Sequence, residues 1–330
     1  MRIHFVTPGF NPAGGIVKLF DYVNHAVDLG HEPVIVSPQA HHPELPIFQL
    51  ERFRRLAPDG GVPFVRGDRY AIPPDDFAFF TWPPHHDQIL QRLHPETPLH
   101  HVIHIVQNVR HANPRWEQLD RDLRRGHSIR VLARPMSRVF VAEEVLEACR
   151  RWVNPSSPAQ VIVEGHAWDF FSKERQGGLP TPIKVGYTTW KSDVGPAVED
   201  RLAGDDYEFR SIRGVAGWDE LRELYHWSDV FLGTPNREEG FFLVGLEAMA
   251  AGALLVVSDA VGNRAYSRWG ENCLLVDHDD IEGYVGALQR LREMGDDAVG
   301  AMRDDGYAVL PNHALARERD EFGGFLEEIG

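Results

Sequence analysis

The stretch from Asp229 to Ser258 constrains this chain more than any other. Asp229-Val-Phe-Leu232 is a short β-branched and aromatic run that reads as a buried strand, and Leu254-Leu-Val-Val-Ser258 reads as the next. Between them Leu243, Leu246 and Ala250, with Val244 and Met249, recur at helical spacing, and Gly252 stands where a helix closes on a C′ glycine. Strand, turn, helix and strand in that order is the repeating unit of an α/β fold. Glu239 and Gly240 fall in the turn, and Phe241 to Val244 are expected as the first helical turn. Free backbone N–H groups and the positive end of the helix dipole collect at such a start, which suits a phosphate. Two carboxylates bracket it: Glu239 in the turn and Glu247, eight residues on, in the helix. A carboxylate is a poor phosphate ligand but a good acceptor for paired sugar hydroxyls. The stretch therefore asks for a phosphate flanked by sugars, the shape of a nucleotide sugar.

The run Pro235-Asn-Arg-Glu-Glu-Gly-Phe-Phe-Leu-Val-Gly-Leu-Glu-Ala-Met-Ala-Ala-Gly252 resembles the E-x7-E signature of retaining family 4 glycosyltransferases, the "glycosyl transferases group 1" type. It departs from that pattern at Asn236, where Ser is usual, and at Phe242, where Gly is usual. Two glutamates at this distance read alone as a buried helix with an acidic first turn; the whole run of matches favours the resemblance. The resemblance implies a GT-B fold, two doubly wound Rossmann-like α/β domains facing a central cleft. It also implies metal-independent, cofactor-free transfer of a hexose-type sugar from a nucleotide-diphosphate donor to a glycan, lipid-linked or small-molecule acceptor. Glu239 would hold donor-sugar hydroxyls and Glu247 the ribose, with Gly240, Phe241, Phe242, Leu243 and Val244 at the phosphates.

Composition sets outer limits. A chain of 330 residues is long for one core and comfortable for two domains. It contains no apolar run of about 18 residues. Met1-Arg-Ile-His-Phe-Val-Thr-Pro8 is too short an apolar run for a signal peptide and reads as a first strand. Cys149 and Cys273 stand in no paired spacing, so neither a disulfide framework nor a zinc site is expected. A cytoplasmic location is the default expectation, with at most peripheral contact at the inner membrane face. The net charge of −15 falls on one half: residues 1–180 hold 20 basic and 20 acidic side chains, residues 181–330 hold 14 and 29. That asymmetry supports two distinct halves and argues against a nucleic-acid partner, which needs a basic footprint.

In chain order, Arg2–Val6 reads as a strand and Gly15–Leu29 as a helix. The loop between them, Thr7 to Gly15, lacks both Gly-x-Gly-x-x-Gly and the Gly-Lys-Ser/Thr ending of a P-loop, which disfavours dinucleotide and ATP binding there. Its Gly14-Gly15 pair resembles the family's pair that approaches the donor phosphate from the first domain. His31–Ser37, Asp76–Thr81 and Leu99–Val106 read as further strands, with loops or short helices over 41–74. On such a strand His101 and His104 face opposite sides, which argues against a metal site. His111 follows a strand end, where α/β ligands gather, beside Gln107 and Asn108, and the resemblance implies it as a candidate catalytic residue in contact with the donor sugar. Residues 110–138 carry eight arginines against three acids, which fits an anionic acceptor or a solvated helix face.

Gln160 to Phe171 resembles the family segment that ends the first domain, and residues 172–182 read as a linker. The second domain opens with Ile183 to Lys191. Lys191 fills the family's pyrophosphate lysine, while Tyr187 stands at the donor-site position where the family has Arg, and Arg237 could substitute for it. The loop at Gly214 and Val215 resembles the family's base-reading loop. Asp277-His-Asp279 spells Asp-x-Asp but falls where Asp279 or Asp280 would cap a helix. The expected domains are 1–172 and 173–313, with a last helix over about 314–330 returning to the first. The alternatives are a non-catalytic nucleotide-sugar-binding subunit and a GT-B sugar-nucleotide epimerase. A pyridoxal-phosphate phosphorylase is disfavoured, because no lysine follows Lys191.

Overall fold

The computed structural model describes residues 1–37, 44–67, 70–109, 128–202, 204, 206–214 and 216–330. It divides into two compact units, Met1–Glu164 with Leu315–Gly330, and Gly165–Ala314. The first is built on seven strands: β1 (Arg2–Val6), β2 (Glu32–Ser37), β3 (Phe64–Arg66), β4 (Phe77–Phe80), β5 (Val102–Val106), β6 (Ser137–Phe140) and β7 (Ala159–Val161). They lie in the order β3-β2-β1-β4-β5-β6-β7. Every pairing is parallel, with Ile3 opposite both Pro33 and Phe77. The second holds β8 (Ile183–Thr188), β9 (Tyr207–Ile212), β10 (Val230–Gly233), β11 (Leu254–Ser258) and β12 (Cys273–Val276), ordered β12-β11-β10-β8-β9 and again parallel. Strands covered on both faces read as unbroken apolar runs rather than alternating ones. That is why all residues of β4, β5 and β11 are buried.

The first unit carries α1 (Gly14–Asp28), α2 (His85–Leu90) and α3 (Glu143–Cys149). The second carries α4 (Val194–Leu202), α5 (Trp218–Trp227), α6 (Leu243–Ala250), α7 (Ile281–Glu293) and α8 (Asp296–Ala308). The last helix, α9 (Leu315–Ile329), packs on α1. Tyr22 and Phe322 meet edge to face at 4.8 Å. Beside them Lys18 Nζ lies 2.9 Å from Glu318 and 3.5 Å from Asp21, and His25 Nε2 lies 2.8 Å from Glu318. Arg52 completes the group on Asp21 at 2.9 Å. Burial alone would lower the Lys18 pKa, but Glu318 and Asp21 overcome it and hold it above its ordinary value. Burial would likewise raise Asp21, and Arg52 and Lys18 hold it below its ordinary range instead. The Asp21 contribution to stability is therefore present above its unfolded pKa and is lost as acid protonates it in the fold.

Several expectations shift. Leu99–His101 is a 3₁₀ turn and the strand starts at Val102, so His101 does not share a strand with His104. Both imidazoles stack on phenylalanines of β4, His101 on Phe77 at 4.1 Å and His104 on Phe80 at 4.6 Å. β3 falls in the segment read as loops or short helices, where three 3₁₀ turns also form. Arg138 is not a surface cation. It lies fully buried on β6, and its guanidinium donates to the carbonyls of Val131, Leu132 and Arg134, while burial pulls its pKa down to about 9. Arg110, Arg115, Arg121, Arg124 and Arg125 lie outside the described residues. Residues 165–172, expected at the end of the first domain, pack with the second unit, where Phe171 lies 5.2 Å from Trp218 and 5.7 Å from Tyr225.

Removing one partner of a buried ion pair leaves the other charge uncompensated. Lys18→Met should therefore cost about 3–5 kcal/mol in urea denaturation. The double variant Lys18→Met/Glu318→Leu should recover most of that loss. A single variant within 1 kcal/mol of the wild type, on the order of an exposed pair, would show that the network carries no such weight.

Candidate active site

β10 ends on Gly233, and the chain turns through Thr234–Phe242 before α6 begins at Leu243. Phe241 and Phe242, expected in the first helical turn, precede the helix. Their rings are buried, Phe241 against Tyr266 at 5.5 Å and His313 at 5.1 Å. The Tyr266 hydroxyl donates to the Phe242 carbonyl at 2.6 Å, and Phe242 has φ −100° and ψ 81°, outside the helical region. Local apolar spacing cannot foresee this contact, because Tyr266 stands 24 residues away. At the other end Gly252 takes the left-handed φ of +72°. The Gly252 and Ala253 N–H groups bond to Met249 and Ala248, the closed helix end the sequence asked for.

The turn is pressed against a second loop. A Cβ on Gly262 would stand 2.5 Å from the Phe241 nitrogen and 2.7 Å from the Glu239 carbonyl oxygen, so only glycine admits this approach. Asn263 fixes that loop by donating to the Ser258 carbonyl and accepting from the Ala260 N–H. His278 Nε2 lies 2.8 Å from the Pro235 carbonyl and holds the turn from the β12 side. No side chain caps α6. The N–H groups of Leu243 and Val244 have no intrahelical acceptor at a helix start, while that of Gly245 bonds back to Phe242. Two aligned donors and the dipole therefore face whatever occupies the turn.

Glu239 lies in this turn, half-buried. Lys191 Nζ donates to its Oε1 at 2.6 Å, and the Asn236 N–H donates to Oε2 at 3.3 Å. The Lys191 ammonium also sits 5.5 Å from the centre of the Phe242 ring. Lysine, carboxylate and uncapped helix start are thus one cluster. Arg237 stands apart from it: its guanidinium is exposed and 4.0 Å from Asp279. Tyr187 does not reach the cluster either. It is a core residue of the second unit, packed against Gly195 of α4, and its hydroxyl donates to Glu199. Burial first, then the bond to Glu199, push its pKa up to about 12.

Glu247 is buried. Its Oε1 accepts from His166 Nε2 and its Oε2 from the Tyr225 hydroxyl, each at 2.8 Å. Burial first, then Glu247, push the Tyr225 hydroxyl well above its ordinary range. Gly14 and Gly15 belong to the first unit, where they open α1, exposed; Gln107 Nε2 donates to the Gly15 carbonyl at 3.3 Å. His111 and Val215 lie outside the described residues. Asp280, one of the two proposed caps, accepts from the Gly283 N–H and starts α7. Among the described residues no cluster of three His, Cys, Asp or Glu side chains is arranged to hold a metal. Among them, too, no helix is long and apolar enough to cross a membrane. Sequence reasoning missed His166, Tyr225, Tyr266 and His278 as parts of this site; each joins it through a contact far along the chain, without a local motif.

Residues 191–294, from Lys191 through both glutamates, match the family described as Glycosyl transferases group 1. A D-inositol 3-phosphate glycosyltransferase of Acidothermus cellulolyticus is 39% identical over 77 residues, which span 23% of this chain and 17% of that protein. HepE of Anabaena, solved with UDP and glucose, shares the fold at a TM-score of 0.73 and 12% identity, covering 99% of this chain and 100% of its own. Sucrose-phosphate synthase of Thermosynechococcus elongatus does so at 0.69 and 14%, covering 100% of this chain and 99% of its own. Two Rossmann-like units with parallel sheets, shared with these neighbours, are the GT-B fold. The fold is thus that of GT-B glycosyltransferases, and residues 191–294 of its second unit carry the family match.

Gly262→Ala forces a methyl into the turn. It should cost about 1–3 kcal/mol in thermal or urea unfolding, as overpacking does. A variant as stable as the wild type would mean that the two loops can separate without penalty.

Proposed function

We propose that this chain transfers a hexose-type sugar from a nucleoside-diphosphate donor to a glycan, lipid-linked or small-molecule acceptor, with retained configuration and without a metal ion. The observation that carries the reading is the Lys191–Glu239 pair at the uncapped start of α6, inside the segment that matches the family. HepE, solved with UDP-glucose, makes uridine donors the first to try.

As the bond from the anomeric carbon to the diphosphate lengthens, the sugar takes on oxocarbenium character and negative charge grows on the leaving phosphate. Lys191 and the N–H groups of Leu243 and Val244 meet that charge with donors already in place. Bound phosphate draws Lys191 from Glu239, and the freed carboxylate accepts from donor-sugar hydroxyls. Glu247 accepts from the ribose. The departing phosphate takes the proton of the attacking hydroxyl, which comes from the same face. A cytoplasmic enzyme with at most peripheral membrane contact fits this donor. Tyr187, buried where the family carries an arginine, favours a second reading, a nucleotide-sugar-binding subunit without transfer activity.

UDP, GDP, dTDP and ADP, with their sugar conjugates, form the test panel. One series should raise the melting temperature, since a ligand at 100 times its Kd adds about 2.7 kcal/mol to the folded state. Glu239→Ala and Lys191→Ala should each lower kcat/KM for transfer or donor hydrolysis about 10²–10³-fold, as loss of one charge-stabilising group does. EDTA should leave turnover unchanged. Unaltered turnover in Glu239→Ala would overturn the site, and binding without any turnover would favour the subunit reading.

A further inference from the structure

We propose that His166 and Tyr225 are positioning residues of the nucleotide site, which orient the Glu247 carboxylate toward the ribose; the inference rests on the glycosyltransferase reading above. Glu247 lies on α6, its side chain only 6% exposed. A buried carboxylate is costly unless hydrogen-bonded. Here each oxygen has one donor, His166 Nε2 on Oε1 and the Tyr225 hydroxyl on Oε2, both at 2.8 Å. Because a carboxylate oxygen only accepts, the His166 proton sits on Nε2. Two donors from different elements fix both the position and the plane of the carboxylate. An ionised carboxylate has about four lone-pair sites, and this pair occupies about two of them, leaving acceptor capacity for two adjacent hydroxyls.

The donors are themselves held. His166 lies on the segment that opens the second unit, its N–H bonded to the His313 carbonyl at 2.9 Å. Its ring stacks on Phe171 at 5.8 Å and lies 5.4 Å from Trp218. Tyr225, on α5, is fully buried and meets Phe231 at 5.0 Å and Phe171 at 5.7 Å. Neither residue can swing away without opening this aromatic cluster. They stand 81 and 22 residues from Glu247, outside the stretch that carries the motif.

Two replacements separate hydrogen bonding from packing. His166→Phe keeps a ring for Phe171 and Trp218 but removes the N–H, whereas His166→Gln loses the ring and keeps an N–H donor. Tyr225→Phe removes only the hydroxyl and keeps the fold of α5, so it stands if a His166 variant fails to fold. Titration calorimetry on the full chain uses whichever of UDP, GDP, dTDP and ADP binds the wild type. His166→Phe and Tyr225→Phe should weaken binding about tenfold, the order expected when a buried acceptor loses its donor, and His166→Gln about threefold or less. Donor KM should rise in the same order, with kcat held within about threefold. Wild-type affinity in both His166→Phe and Tyr225→Phe overturns the positioning role and leaves the transferase reading intact. So does the reverse order, with His166→Gln the weaker binder of the two. A wild type that binds none of the four nucleotides overturns the transferase reading, and this inference with it.

Discussion

The hydrogen bond from the Tyr266 hydroxyl to the Phe242 carbonyl ties down the residue at which α6 begins, and the rest of the candidate site is arranged around that point. Phe242 lies outside helical geometry and its carbonyl accepts from both the Tyr266 hydroxyl and the Gly245 N–H, so the N–H groups at the helix start are those of Leu243 and Val244. Had the helix started at Phe241, the free donors would belong to earlier residues, each set about 100° round the helix axis from the next. Both phenylalanine rings are buried in the second unit rather than lining the turn. Gly262 then has to be a glycine, because the turn so placed runs against it.

The two glutamates of the motif live in different surroundings. Glu239 is half-buried and accepts from the Lys191 ammonium and from the backbone and side-chain N–H groups of Asn236, donors for which another anion can compete. Glu247 is enclosed and held by two side chains that are themselves locked by rings. One carboxylate is thus exchangeable and the other fixed. In the proposed transfer, the exchangeable carboxylate lies beside the leaving phosphate and the fixed one at the ribose.

Much of this was legible in the chain, and the misses share one cause. The parallel sheets follow from unbroken apolar runs, and the strand–turn–helix unit from helical spacing closed by Gly252, because these signals are local. Lys191 and Glu239 do come together, although the pairing spans 48 residues, because both stand where the resemblance puts them. Tyr187 and Arg138 went astray because one position cannot tell a core-facing from a ligand-facing direction. Tyr187 turns under α4 to reach Glu199, and Arg138 turns inward to three carbonyls. His166 could not be foreseen as a partner of Glu247, since nothing in its neighbourhood announces a contact 81 residues away. Gly14 and Gly15 do open a helix, but His111 and Val215 fall outside the described residues.

The buried Lys18 and its partners carry a consequence for how the polypeptide is made. The first unit is discontinuous: its sheet is complete by residue 161, yet Glu318 and Phe322, which cover Lys18 and Tyr22, belong to the final helix. During synthesis from the amino end, the second unit has all its residues before the first does. Until α9 emerges, the growing chain exposes an apolar face on α1 with an ammonium at its centre. The face of α1 is therefore made about 300 residues before the helix that covers it, with Glu318 on Lys18 and Phe322 on Tyr22.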